Sequence, residues 1–209
     1  MININEKHYP NLSEAVAFRI TFDPFVYTYD SDILEESFPT QCSRCGYAPQ
    51  VRDLVAPKSN CKKDYGILWT YEFGVSPNLR ANLIENFDIT EKDFRPIWNK
   101  SGEIVYYQIT PQHVMLPLIS VNRWRALKPC RKCGRIEYRE KSYYNKNDEQ
   151  YRYITREALE DMTDINVSYE HFDMDMPIFV VSRRVYDYLV AIYPRMRFEP
   201  FFLKEAPGN

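Results

Sequence analysis

The chain has 209 residues, 44% of them hydrophobic, and a formal net charge of −2 at pH 7. That is enough apolar material for a core of its own, and too little charge for a global field that would draw the molecule to nucleic acid or an anionic membrane. No apolar run approaches the roughly 18 residues of a spanning helix, residues 1–10 carry charge without an apolar stretch, and the cysteines are odd in number, so the sequence predicts a cytoplasmic protein rather than a secreted disulfide scaffold.

Val16, Phe18, Ile20 and Phe22 alternate with smaller or polar residues over 15–22, the period of a half-buried strand. A β-rich stretch at 25–29 leads to a short helix at 32–37, then to Pro39 and the motif Cys42-Ser43-Arg44-Cys45-Gly46. No long helix precedes this motif, so its cysteines are expected on a loop or hairpin tip. Ile67, Trp69, Tyr71 and Phe73 make 66–73 the cleanest alternating strand. Ser76 then suits an N-cap and Pro77 the first position of a helix over 77–87, with Leu79, Leu83, Ile84 and Phe87 facing a core.

Thr90 with Asp93 predicts a brief helical turn, and 94–98 with 104–109 flank Asn99-Lys100-Ser101-Gly102 as a hairpin. Residues 114–121 are apolar but broken by Pro117, which predicts an edge strand or extended connection leading to the second motif, Cys130-Arg131-Lys132-Cys133-Gly134. Residues 138–144 and 151–154 enclose a polar stretch, 145–150, that reads as a hairpin loop or a mobile excursion. A short helix follows at 155–162. Between Glu157 and Met176 there are seven acidic residues and no Lys or Arg, the composition of a solvated loop or of a face that recognises a basic partner. A strand at 178–181, a Ser182-capped helix with Val185, Tyr188, Leu189 and Ile192 as its apolar stripe, and a strand at 197–203 complete the chain; they form a crossover if the two strands run parallel. The expectation is an α+β fold in one domain over residues 1–209, with a mixed, mainly antiparallel sheet, a few packed helices and a four-cysteine zinc knuckle pair. No internal repeat is visible beyond the cysteine motif.

The chemistry centres on Cys42, Cys45, Cys130 and Cys133. Two Cys-x-x-Cys pairs fill the tetrahedral shell of one Zn²⁺ at sulfur distances of roughly 2.3 Å. Glycine after each pair suits a tight turn. The two pairs lie much further apart in the chain than those of a compact zinc finger, so the ion is expected to be a structural staple; a redox dithiol or a disulfide in each pair is the competing reading. Cys61 is left over, and a lone cysteine is most often a small buried hydrophobe. Pro129-Cys130-Arg131-Lys132-Cys133 matches half of the nucleobase-deaminase signature, but the upstream His or Cys followed two residues later by Glu is missing, and four thiolates would leave no open position for water. His8, His113 and His171 lie in no metalloprotease or nucleophile motif, and there is no phosphate-binding glycine loop. No enzyme is predicted. Around the second motif, residues 123–141 hold eight basic and two acidic residues with Tyr138, Tyr143 and Tyr144 nearby. These could meet phosphates through Arg131, Lys132 and Arg135 and stack on bases, or simply offset the charge of a four-thiolate zinc.

The doubled Cys-x-x-Cys-Gly, together with the ending Phe179-Val180-Val181-Ser182-Arg183-Arg184-Val185 and the later Arg197-Phe198-Glu199-Pro200, resembles the bacterial double-CXXCG-motif proteins over about residues 39–203. The chain departs from them in being richer in Tyr and Lys. The resemblance implies a cytoplasmic protein, related to immunity proteins that neutralise a cognate toxin by binding it. If that toxin is a nuclease with a basic groove, the acidic stretch containing Glu170, Asp173 and Asp175 is the expected contact. The alternative is a zinc-ribbon-like nucleic-acid-binding protein that uses the basic region around Cys130 and Cys133.

Overall fold

The computed structural model describes residues 3–9, 11–21, 44, 54–56, 64–67, 73–99, 101–116, 124–126, 128–132, 138–140, 153–172 and 176–203. In chain order these form α1 (Ile4–His8), β1 (Ala17–Ile20), β2 (Leu54–Ala56), β3 (Tyr65–Ile67), β4 (Phe73–Val75), α2 (Pro77–Asn86), β5 (Phe94–Asn99) and β6 (Ile104–Ile109). There follow β7 (Trp124–Ala126), β8 (Tyr138–Glu140), β9 (Tyr153–Ile154), α3 (Arg156–Asp161), β10 (Ile165–Phe172), β11 (Met176–Ser182), α4 (Arg183–Ile192) and β12 (Phe198–Leu203). The fold is α+β, with mixed, mainly antiparallel sheets and few helices. None of the described helices is long and apolar enough to cross a membrane. The chain divides into two compact units, one of Met1–Thr21, Gln112–Pro129 and Arg135–Asn209, the other of Phe22–Pro111 and Cys130–Gly134.

The first unit is built on a sheet of order β10-β11-β1-β12-β9, antiparallel except for the β12-β9 pair. β11 and β12 each run antiparallel to β1, so they run parallel to one another and β11-α4-β12 is a crossover with β1 filling the gap. Adjacent residues of β1 point to opposite faces, and both faces are covered. Ala17 packs with Met115, Ile154, Ala158, Ile178, Val180 and Phe201 on one side. Phe18 lies on the other, its ring stacked on Tyr186 of α4 with centroids 3.6 Å apart and edge-on to Phe198. Ser182 caps α4 by accepting from the Val185 N–H, and Val185, Tyr186 and Leu189 are its buried face. The stripe predicted from Tyr188 and Ile192 is thus displaced: Ile192, in the last turn, is 47% exposed, and Tyr186 takes the inward position. The N-terminal α1 is tied to the start of β12 by buried Asn5, which donates to the Met196 carbonyl and accepts from the Phe198 N–H, both at 2.9 Å.

Strand β10 occupies part of the acidic stretch read as a solvated loop or a recognition face for a basic partner. On one face of β10 the buried residues, Asn166 and Ser168, are polar, so hydrophobic alternation does not reveal it. Both are fully buried and satisfied: Asn166 Nδ2 donates to the Thr163 and Val180 carbonyls, and Ser168 Oγ accepts from the Ile178 N–H.

The second unit carries a sheet of order β2-β5-β6-β4-β3, in which only β2-β5 is parallel. Ser76 caps α2 and Pro77 sits in its first turn, as expected, with Leu79 and Leu83 buried. The Thr90/Asp93 turn forms a capping box on a 3-10 helix, and the β5-β6 hairpin closes through Gly102 at φ 81°. The single strand expected over 66–73 is instead part of an antiparallel pair, with Tyr65 opposite Val75 and Ile67 opposite Phe73, so the chain reverses between them. No glycine or proline marks that reversal. Of the segments 138–144 and 151–154 the described residues are β8, which pairs with β7, and β9, which runs parallel to β12. Segment 25–37 and residues 145–150 lie outside the described residues.

Burial holds the Tyr186 phenol above its ordinary pKa of 10.0, although Asn3 Nδ2 donates to its oxygen at 2.8 Å and Arg183 is near. A raised folded-state value contributes stability that is complete below the unfolded pKa and is lost as pH climbs through the folded one. Tyr186→Phe should therefore flatten the alkaline decline: from about pH 10 upward, the denaturation midpoint of the wild type falls more steeply than that of the variant.

Candidate metal centre

The second cysteine motif lies in sequence between β7 and β8, which pair antiparallel with Ala126 opposite Tyr138. Lys128 and Pro129 are exposed, Cys130 is partly exposed, and Arg131 and Lys132 form an exposed turn. Of the first motif only Arg44 is described; it is an exposed turn residue. Cys42, Cys45 and Cys133 lie outside the described residues, as does Cys61. Among the described residues no group of three or more His, Cys, Asp and Glu side chains could hold a metal ion, and Cys130 is the one member of the four-cysteine set among them.

β7 and β8 belong to the first unit, whereas Cys130–Gly134 groups with Phe22–Pro111 in the second. The basic side chains Lys128, Arg131 and Lys132 are exposed beside Cys130.

The acidic stretch is partly committed to structure. Asp164, 3% exposed, accepts from Ser182 Oγ at 2.6 Å and from Arg184 Nε at 2.7 Å, with Arg184 Nη2 on its second oxygen. Asp161 Oδ2 accepts from the Leu116 N–H at 3.0 Å and lies 3.1 Å from His113 Nε2. This pins segment 113–116, whose Val114 bridges Val167 and whose Met115 is buried. No pattern in the sequence signals the His113–Asp161 contact, since the two stand 48 residues apart. Glu157 and Glu160 on α3 are exposed. Glu170 belongs to β10, and Asp173 and Asp175 lie outside the described residues. Of the other histidines, His8 is an exposed residue at the end of α1, and His171 belongs to β10. Tyr138 is in β8; Arg135, Tyr143 and Tyr144 lie outside the described residues.

Comparison with family models, with curated proteins and with solved structures finds no match. The site is therefore read from its own chemistry.

The acidic residues divide into two classes that unfolding separates. Asp164→Ala strands the Ser182 hydroxyl and should cost about 1–3 kcal/mol, whereas Glu157→Ala and Glu160→Ala should stay within about 0.5 kcal/mol of wild type, all measured by urea denaturation.

Proposed function

We propose that the protein is a zinc-stapled cytoplasmic binding protein of the immunity type, which neutralises a cognate toxin by direct contact and performs no chemistry of its own. One Zn²⁺, held by Cys42, Cys45, Cys130 and Cys133, closes the fold, and the partner meets a surface held in shape by that closure. The observation that supports the staple is the grouping of Cys130–Gly134 with the segment carrying the first motif. The doubled Cys-x-x-Cys-Gly and its resemblance to immunity proteins support the functional half. The exposed carboxylates of α3, Glu157 and Glu160, extend the acidic surface toward which a basic toxin groove would be drawn.

A second reading has its own observation: Lys128, Arg131 and Lys132, beside Cys130, are exposed, as phosphate contacts require. A nucleic-acid-binding protein would show affinity for DNA or RNA that falls steeply with salt. An immunity protein would not, and the gene of its toxin is expected beside its own.

Elemental analysis of the purified chain is expected to give one zinc per molecule. Removing it withdraws on the order of 10 kcal/mol, comparable with the roughly 5–15 kcal/mol that holds a domain together; a chelator in the presence of a thiol modifier should therefore abolish cooperative unfolding. Two disulfides and no metal would refute the staple. With the cognate toxin in hand, reversing Glu170, Asp173 and Asp175 to Lys should slow association by about tenfold at low salt and leave the circular dichroism spectrum unchanged. Unaltered kinetics would move the partner surface elsewhere.

A further inference from the structure

We infer that the chain is two copies of one module whose first strands have traded places, and that the two cysteine motifs are the same half-site, one in each copy. The first copy spans residues 17–99 and reads β1, Cys-x-x-Cys-Gly, β2, β3, β4, α2, β5. The second spans residues 104–203 and reads β6, Cys-x-x-Cys-Gly, β9, β10, β11, α4, β12, with β7, β8 and α3 as additions that have no counterpart among the described residues of the first. Each unit's sheet then has one order: third strand, fourth strand, first strand, post-helix strand, second strand. Each has a single parallel pair, between the post-helix strand and the second strand. The first strand in each sheet comes from the other copy, β1 in the sheet of the second and β6 in the sheet of the first.

Order alone could recur by chance among small sheets, but register is more demanding, because a one-residue slip sends every side chain to the wrong face. The registers coincide at the three antiparallel interfaces, apart from a bulge between Ile97 and Trp98 in β5 that β12 lacks. In the second copy Phe198, Glu199, Pro200 and Phe201 face Ile20, Arg19, Phe18 and Ala17. In the first, Phe94, Arg95, Pro96 and Ile97 face Ile109, Gln108, Tyr107 and Tyr106. The same offset puts Val181 opposite Phe18 and Ile165, and Val75 opposite Tyr107 and Tyr65.

Local hydrogen bonds repeat too. An aspartate immediately before the third strand takes both groups of the helix-capping serine: Ser76 donates its N–H and Oγ to Asp64, each at 2.8 Å, and Ser182 does the same to Asp164 at 3.2 and 2.6 Å. Both serines cap ten-residue helices. The Thr110 N–H donates to the Asp93 carbonyl and the Thr21 N–H to that of Arg197, at matching points beyond the traded strands. Even the substituted helix position keeps its place: Arg80 lies over the rings of Tyr107 and Phe94, and Tyr186 lies against those of Phe18 and Phe198.

The cysteines obey the same frame. The interval from Ile20, the end of β1, to Cys42 matches that from Ile109, the end of β6, to Cys130 to within a single position. Each copy therefore offers one dithiolate from the same point of its module. This last step rests on the zinc reading; the strand trade does not.

The full-length chain tests the trade by cross-linking. Arg19→Cys with Glu199→Cys places two thiols on directly opposed strand residues, within the roughly 4.4–6.8 Å Cα separation that a disulfide spans. Arg19→Cys with Arg95→Cys places them where they would meet only if β1 lay in its own copy's sheet. The first pair should cross-link within one chain and the second should not, read by peptide mass spectrometry on protein whose circular dichroism matches wild type. A link between positions 19 and 95, a link between two chains, or no link between positions 19 and 199 in folded protein would overturn the trade. Zinc content reads the other half separately: Cys42→Ser/Cys45→Ser and Cys130→Ser/Cys133→Ser should each take bound zinc from one per chain to none. A variant of either pair that keeps its full zinc would refute equivalent half-sites. A wild-type chain without zinc would remove the metal reading and leave the cross-linking result standing.

Discussion

A sheet strand must find partners for the hydrogen-bonding groups on both of its edges, and in each unit of this protein the central position is filled by a strand from outside the run of elements around it. Residues 153–203 make four strands and two helices, but β11 and β12 are a crossover with a gap between them, and β1 fills it. Residues 54–99 leave the same gap between β4 and β5, and β6 fills it. Ala17 and Phe18, both fully buried, then serve two packed layers at once. α4 lies over the face that carries Phe18, while Met115, Ala158 and the segment pinned by Asp161 cover the other. Without the inserted strand, the pairs Phe18–Tyr186 and Ala17–Phe201 would have nothing to close on.

Much of this was readable from local pattern. Strand β1, the capped helices α2, α3 and α4, the Thr90 turn and the β5-β6 hairpin follow from alternation, Ser or Thr caps and turn residues. What escaped did so for physical reasons. β10 turns polar residues inward, because Asn166 and Ser168 spend their side chains on neighbouring backbone groups rather than on apolar packing. The reversal between β3 and β4 lacks a turn residue. The repeat was hidden because equivalent positions keep their geometry and change their chemistry: Gly66 corresponds to Asn166, Arg80 to Tyr186 and Ala17 to Tyr106. Ala17 faces Phe201 where Tyr106 faces Ile97, a small and large pair in one copy and a large and medium pair in the other.

The candidate metal site was legible as four residues and nothing more. Spacing of Cys-x-x-Cys states what the ion is offered, but not why two halves so far apart in the chain should meet. If the proposed zinc is bound, a duplicated module would supply a reason, since one loop used twice yields two dithiolates, and two dithiolates make one closed tetrahedral shell. The same view trims the acidic surface. Asp161 and Asp164 belong to the framework, so any partner recognition falls to the carboxylates around them, and charge there would set the speed and choice of encounter more than its strength.

X-ray absorption at the zinc edge of the purified full-length protein addresses the centre most directly. Four sulfur ligands at about 2.3 Å, with one zinc per chain and no nitrogen or oxygen in the shell, are expected of two equivalent dithiolates closing one ion. A shell of two sulfurs completed by nitrogen or oxygen, or a chain without zinc, would contradict a staple shared by the two copies.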